Sequence, residues 1–172
     1  MGMDVYGLTA KTEKGNYFRN NVWWWRPLAF FIEETYPDIA IKCEDWHSNS
    51  GCGLGEADSM VLGKMIFNDI ADGTVKRYQD ARLIGLSELP REDCSLCGTT
   101  GMRTDEVGVE HGMPNKELPP EIAILVGRTH GTCNACNGIG SRENWELSYD
   151  FSVENVQEFA EFLMECGGFQ IC

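Results

Sequence analysis

The chain has 172 residues, 42 % of them apolar and 24 % charged, which suits one globular domain with its own core and excludes a disordered, fibrous or low-complexity chain. Fourteen Lys and Arg stand against 27 Asp and Glu, a formal net charge of -13, so direct nucleic-acid binding is disfavoured and a charged partner should be basic. The longest aliphatic and aromatic run, Ala29 to Ile32, cannot span a bilayer, and "MGMDVYGLTAKTEK" has no basic segment followed by an apolar one; a soluble, cytoplasmic protein with no membrane partner is expected.

"MDVYGL" alternates apolar and polar residues and predicts a strand ending near Gly7, after which "TEKGN" turns the chain. In "YFRNNVWWWRPLAFFIEETYPD", Pro27 suits the first turn of a helix reaching about Tyr36, with Leu28, Phe31 and Ile32 inside and Glu33 and Glu34 outside. Neighbouring side chains diverge by about 100° on a helix and take opposite faces of a strand, so Trp23, Trp24 and Trp25 cannot all enter one core. With Arg26 they form a candidate contact patch, because Trp and Arg are enriched among binding hot spots.

"CEDWHSNSGCG" holds Cys43, His47 and Cys52. The three could bind a metal with an open position, or Cys43 and His47 could pair as thiol and imidazole; a loop with a buried cysteine is the simpler account. "GLGEADSMVLGKMIFNDIADG" predicts a helix over about 54–71 with Leu54, Val61, Leu62, Met65 and Ile66 inside and Gly73 near its end, and "TVKRYQDARLIGL" a shorter helical or mixed piece. "IAILVG", between the paired cysteine motifs, reads as a buried strand or short helix.

Near the C-terminus, "WELSYDF" alternates Trp145, Leu147, Tyr149 and Phe151 as a strand. Ser152 can cap a helix from Val153 to about Cys166 that stops at Gly167-Gly168, and "FQIC" adds a terminal strand. Val156, Phe159, Ala160 and Leu163 share one face of that helix, and Glu154, Glu158, Glu161 and Glu165 another. Like charges at such spacings cost a few tenths of a kcal/mol per pair, so the stripe is either a solvated face or a surface for a basic groove.

The strongest chemistry lies in "CSLCGTTG" at 94–101 and "CNACNGIG" at 133–140. A C-x-x-C turn presents two sulfurs to one side of an ion, and two such turns close a tetrahedral shell, so Cys94, Cys97, Cys133 and Cys136 are the expected ligands of one structural Zn2+. The following glycines let backbone N–H groups curl toward the sulfurs. A thioredoxin-like redox couple needs a low-pKa cysteine at a helix N-terminus in a βαβ setting, which two glycine-followed pairs do not suggest. His130, three residues before Cys133, could donate to a sulfur; His111 beside Glu110 has no nucleophile in an identifiable relation to it.

The C-x-x-C-x-G-x-G pattern of 133–140 resembles the zinc repeats of DnaJ-type co-chaperones, while 94–101 has Thr99 where that family has its first glycine. Two repeats in place of four imply one zinc, and without a His-Pro-Asp signature the resemblance implies no chaperone activity. Over most of its length the chain is similar to a family of small bacterial and bacteriophage proteins with an "MGMDVYG" start, a "YFRNNVWWWRPL" segment and the paired cysteine motifs, which implies a bacterial or phage setting.

The expected fold is α+β: a small mixed sheet from the terminal strands, two or three helices, and a four-cysteine, zinc-ribbon-like unit at about 92–142 within a single domain over 1–172. No G-x-x-x-x-G-K-[ST], H-E-x-x-H or G-x-S-x-G occurs. The expected function is a protein-binding module, an acidic inhibitor or adaptor of a basic, nucleic-acid-handling protein. The alternative is a small enzyme using Cys43, His47 and Cys52. A ribbon contacting nucleic acid directly ranks last, because Asp105, Glu106, Glu110 and Glu143 dilute Arg103, Arg128 and Arg142.

Overall fold

The computed structural model describes residues 2–103 and 133–172. "IAILVG", His111 and His130 lie outside the described residues. The protein is α+β. It divides into two compact units, Met1–Ser87 with Glu146–Cys172, and Glu88–Trp145; the expected zinc-binding subregion at about 92–142 falls inside the second.

In chain order the first unit contains β1 (Gly2–Gly7), α1 (Glu13–Asn16), β2 (Tyr17–Asn21), α2 (Val22–Thr35), α3 (Pro37–Ala40), α4 (Glu56–Ala71) and α5 (Thr74–Ser87). The second contributes the two-residue strands β3 (Glu92–Asp93) and β4 (Ser141–Arg142). A 3-10 turn at Trp145–Ser148 leads back to the first unit, completed by α6 (Val153–Glu165) and β5 (Phe169–Ile171).

The main sheet has the order β2-β1-β5, and both pairings are antiparallel, which corrects the expectation of a mixed sheet. The connection from β1 to β2 is shorter than the dozen or so residues that a parallel crossover needs. Met3, Val5, Phe18, Phe169 and Ile171 bury the face toward α6, and Asp4, Tyr6, Tyr17 and Arg19 take the other.

Where the sequence predicts two or three helices, four among the described residues run to thirteen residues or more. α5 is the addition. It buries only Val75 fully and leaves Leu83 and Ile84 exposed, so its hydrophobic periodicity is weak. α2 starts earlier than Pro27 suggests, because the Asn21 side chain accepts from the Trp23 and Trp24 N–H groups at 3.0 and 3.2 Å. Pro27 therefore lies inside the helix, where it cannot donate to the Trp23 carbonyl. Leu28, Phe31 and Ile32 are buried as expected.

α4 is rotated from its expected phase. Val61 and Met65 are exposed, and the buried positions are Ser59, Leu62, Gly63 and Ile66. Gly63 explains the rotation: a Cβ there would stand 3.1–3.2 Å from Met164 Sδ, the Ala160 carbonyl and Leu163 Cβ, so the small residues of α4 face α6 and let the helices close. "WELSYDF" is not a strand. Tyr149 N–H bonds the Glu146 carbonyl at 3.0 Å, and Trp145 and Leu147 are exposed, so the apolar alternation does not record one buried sheet face. α6 follows expectation: Ser152 Oγ accepts from Asn155 N–H at 3.2 Å, and Val156, Phe159, Ala160 and Leu163 are buried, with Phe162 added.

Candidate metal centre

β3 ends just before Cys94 and β4 begins just after Gly140, so the β3–β4 pairing sets the two C-x-x-C turns side by side. The turns repeat each other bond for bond. The carbonyl of the first cysteine accepts from Thr99 N–H in one (3.2 Å) and Gly138 N–H in the other (3.1 Å); that of the second accepts from Thr100 (3.2 Å) and Ile139 (3.0 Å). Across the pair, Cys94 N–H donates to Gly140 O at 2.9 Å and Cys133 N–H to Gly101 O at 2.8 Å, a local pseudo-two-fold exchange.

Each turn carries left-handed backbone at the same three places: Gly98, Thr99 and Gly101 (φ 56°, 67°, 73°) and Asn137, Gly138 and Gly140 (φ 51°, 82°, 87°). A Cβ on Gly101 would lie 2.3 Å from the Gly138 carbonyl, and one on Gly140 2.2 Å from that of Thr99. The two glycines therefore interlock the turns, and Thr99 is a β-branched residue held where glycine is favoured. Thr99→Gly should strengthen metal retention by about 1 kcal/mol, the left-handed penalty less the entropic cost of glycine, whereas Gly140→Ala should weaken it severely. Half-times of metal transfer to a chelator check both, and faster loss from Thr99→Gly would refute the strain assignment.

The result is four buried sulfurs whose atoms all lie within 4.8 Å of one another. Cys94 and Cys133 Sγ are 3.8 Å apart, and Cys97 and Cys136 Sγ 3.7 Å. Four sulfurs each about 2.3 Å from one tetrahedral ion stand about 3.8 Å apart, so these residues fit a metal ion without rearrangement of those two edges. Burial opposes ionisation of Cys136, but the N–H of Gly140 and the neighbouring thiols outweigh it and hold the group at about 7; Gly140 N lies 3.3 Å from its sulfur. Cys97 is pushed up to about 11, first by burial. With every corner occupied by protein sulfur, a bound ion would organise backbone and leave no position for an activated water.

The other cysteine-containing loop is different. Among the described residues the four cysteines are the one group of three or more candidate ligands drawn this close, so Cys43, His47 and Cys52 do not converge in the same way. His47 Nε2 lies 2.9 Å from Glu33 Oε2 and its ring packs on Phe30. The Cys43 thiol is buried and its pKa is pushed up to about 12, chiefly by desolvation, which is unlike the electropositive, accessible setting of a thiolate nucleophile. Cys52 is half-buried and accepts from Ser50 Oγ at 3.1 Å.

The three tryptophans separate as the geometry of consecutive side chains requires. Trp25 is buried, Trp24 half-buried and Trp23 44 % exposed, tilted against Tyr149 with ring centroids 4.9 Å apart. Arg26 Nη1 donates to Tyr149 Oη at 3.0 Å and Arg82 Nη2 to the Tyr149 carbonyl at 3.2 Å, a grouping that sequence spacing could not reveal. On α6, Glu154 and Glu158 are exposed, and Glu161 and Glu165 half-buried. Glu161 is ion-paired with Lys14 and accepts from Gln157 at 3.0 Å, and the Lys14 bond holds its carboxyl below the usual range.

Comparison with protein-family models, curated proteins and solved structures finds no match to this chain. Fold and cluster together define an α+β protein with a four-cysteine unit able to hold a metal ion. No described helix is long and apolar enough to cross a membrane.

Proposed function

We propose that the protein is a structural-zinc protein of the cytoplasm, in a bacterial or phage setting, that works as a protein-binding module: an inhibitor or adaptor whose acidic surface engages a basic, nucleic-acid-handling partner. The observation that carries the reading is the closed four-sulfur cluster, which assigns the metal to architecture and leaves recognition to the surface. A tetrahedral set of four thiolates suits zinc, and reduced thiols suit a reducing compartment. Elemental analysis should find one zinc per chain; iron in its place would overturn the assignment.

The recognition half rests on the charge of -13 and on exposed Glu154 and Glu158, with half-exposed Trp23 beside Arg26 as an aromatic anchor. Because Lys14 already neutralises Glu161, the informative reversal is Glu154→Lys with Glu158→Lys. Tagged, zinc-loaded protein should capture a discrete basic partner from its host at low salt and release it at high salt. The double reversal should slow association about tenfold at low salt and have little effect at high salt. A partner held equally well by the reversed protein would refute the acidic-surface reading.

A further inference from the structure

β2 is an outer strand of its sheet, and its bonding pattern can be followed residue by residue. Asp4 exchanges both backbone bonds with Cys172, at 3.2 and 2.7 Å, and Leu8 donates to Gly168 at 2.8 Å, so the even-numbered residues of β1 turn to β5. Alternation in an antiparallel ladder then turns Met3 and Val5 to β2, where their partners are Asn20 and Phe18. The N–H and C=O groups of Arg19 and the carbonyl of Tyr17 are thereby directed away from β1, on the open side of β2, while the Tyr17 N–H caps the end of α1.

Beside this edge lies a cleft of about 460 Å³, with Lys14, Tyr17 and Phe18 on one wall and Glu154, Glu158 and Glu161 of α6 on the other. Asn20 Nδ2 donates to Asn155 Oδ1 at 2.9 Å and ties strand to helix, so the cleft is preformed. β2 carries no proline, and its register with β1 is continuous, so neither of these edge-blocking devices is present. The Lys14–Glu161 pair closes the charge at one end, and among the described residues Glu154 and Glu158 are the wall carboxylates with no ion pair.

We propose that this cleft is a docking site for an extended, basic peptide segment of a partner protein, which adds to the free edge of β2 as a fourth strand. Main-chain bonds to Tyr17 and Arg19 supply affinity, and since strand side chains alternate, every second residue of the peptide turns into the cleft, where Lys or Arg meets Glu154 and Glu158. The inference rests on the acidic-surface reading above and adds a location and a backbone conformation for the bound partner.

The test uses the full-length, zinc-loaded, isotope-labelled protein, with amide resonances followed while a short synthetic peptide of alternating Lys and Val is added. The Tyr17 and Arg19 amides should shift, and that of Arg19 should become protected from exchange. Binding should weaken about tenfold in the Glu154→Lys, Glu158→Lys variant and be lost when every second peptide amide is N-methylated. Undiminished binding of the N-methylated peptide, or shifts that spare β2, would overturn the proposal; salt-sensitive binding mapped elsewhere would leave the acidic-surface reading standing. Shifts at Tyr17 and Arg19 that follow protein concentration without peptide would also overturn it, by making a second copy the occupant. Absence of any binding, by this peptide and by host proteins alike, would sink both readings.

Discussion

Cys133→Ser should unfold the second unit and leave the first folded. Cys133 is fully buried, its N–H holds the Gly101 carbonyl, and its sulfur stands 3.8 Å from that of Cys94, so one substitution removes a metal corner inside the seam between the two turns. Among the described residues the buried core of this unit consists of the four cysteines themselves, with no aliphatic or aromatic cluster behind them. Metal binding is then a main source of order for these described segments, on the order of 10 kcal/mol for structural zinc. The first unit has a separate core that extends from Met3 to Ile171. Segment-resolved hydrogen exchange should show residues 88–103 and 133–145 exchanging freely in Cys133→Ser, or after chelation of the unaltered protein, while β1, α4 and α6 stay protected. Retained protection in those segments after verified metal loss would show that the cluster is dispensable.

Trp25→Ala should be the most damaging of the tryptophan substitutions, at about 3–5 kcal/mol against a total stability of about 5–15 kcal/mol. The Trp25 ring lies near-parallel to and offset from that of Trp46, with centroids 6.4 Å apart, and edge-on to Phe159, and its Nε1 donates to the Trp46 carbonyl at 2.6 Å; Trp46 Nε1 in turn donates to the Ala40 carbonyl at 3.0 Å. Truncation opens a cavity and strips a buried carbonyl of its partner. Trp25→Phe keeps most of the ring area and loses the donor, so its smaller cost separates packing from hydrogen bonding. Trp23→Ala, at an exposed position, should cost under about 1 kcal/mol. Denaturant midpoints of the three variants give the ranking, and a Trp23 cost equal to that of Trp25 would contradict the burial order.

The four-cysteine cluster was legible because its signal is local. Two C-x-x-C turns with glycines at set offsets specify their own backbone path, and the structure reproduces each offset as a left-handed residue or a close approach. The C-terminal helix was legible for a similar reason: Ser152, the apolar face and Gly167-Gly168 mark its start, side and stop within one stretch of chain. Pairing partners separated by many residues carried no such signal. Glu33 for His47, Lys14 for Glu161, and the two arginines that meet Tyr149 follow from how helices and strands pack.

By itself, then, the sequence determined the four-cysteine set, the terminal strands, the capped C-terminal helix and the rule that three adjacent tryptophans must part. Tertiary structure decided the rest: the face of α4 that turns inward, the break of "WELSYDF" into a 3-10 turn, and the outward edge of β2. The physical reason lies in the range of the governing interactions. Caps, turns and C-x-x-C knuckles are satisfied by backbone groups a few residues away, whereas helix phase and strand edges are chosen by whichever distant surface can approach most closely, as Gly63 allows α6 to do.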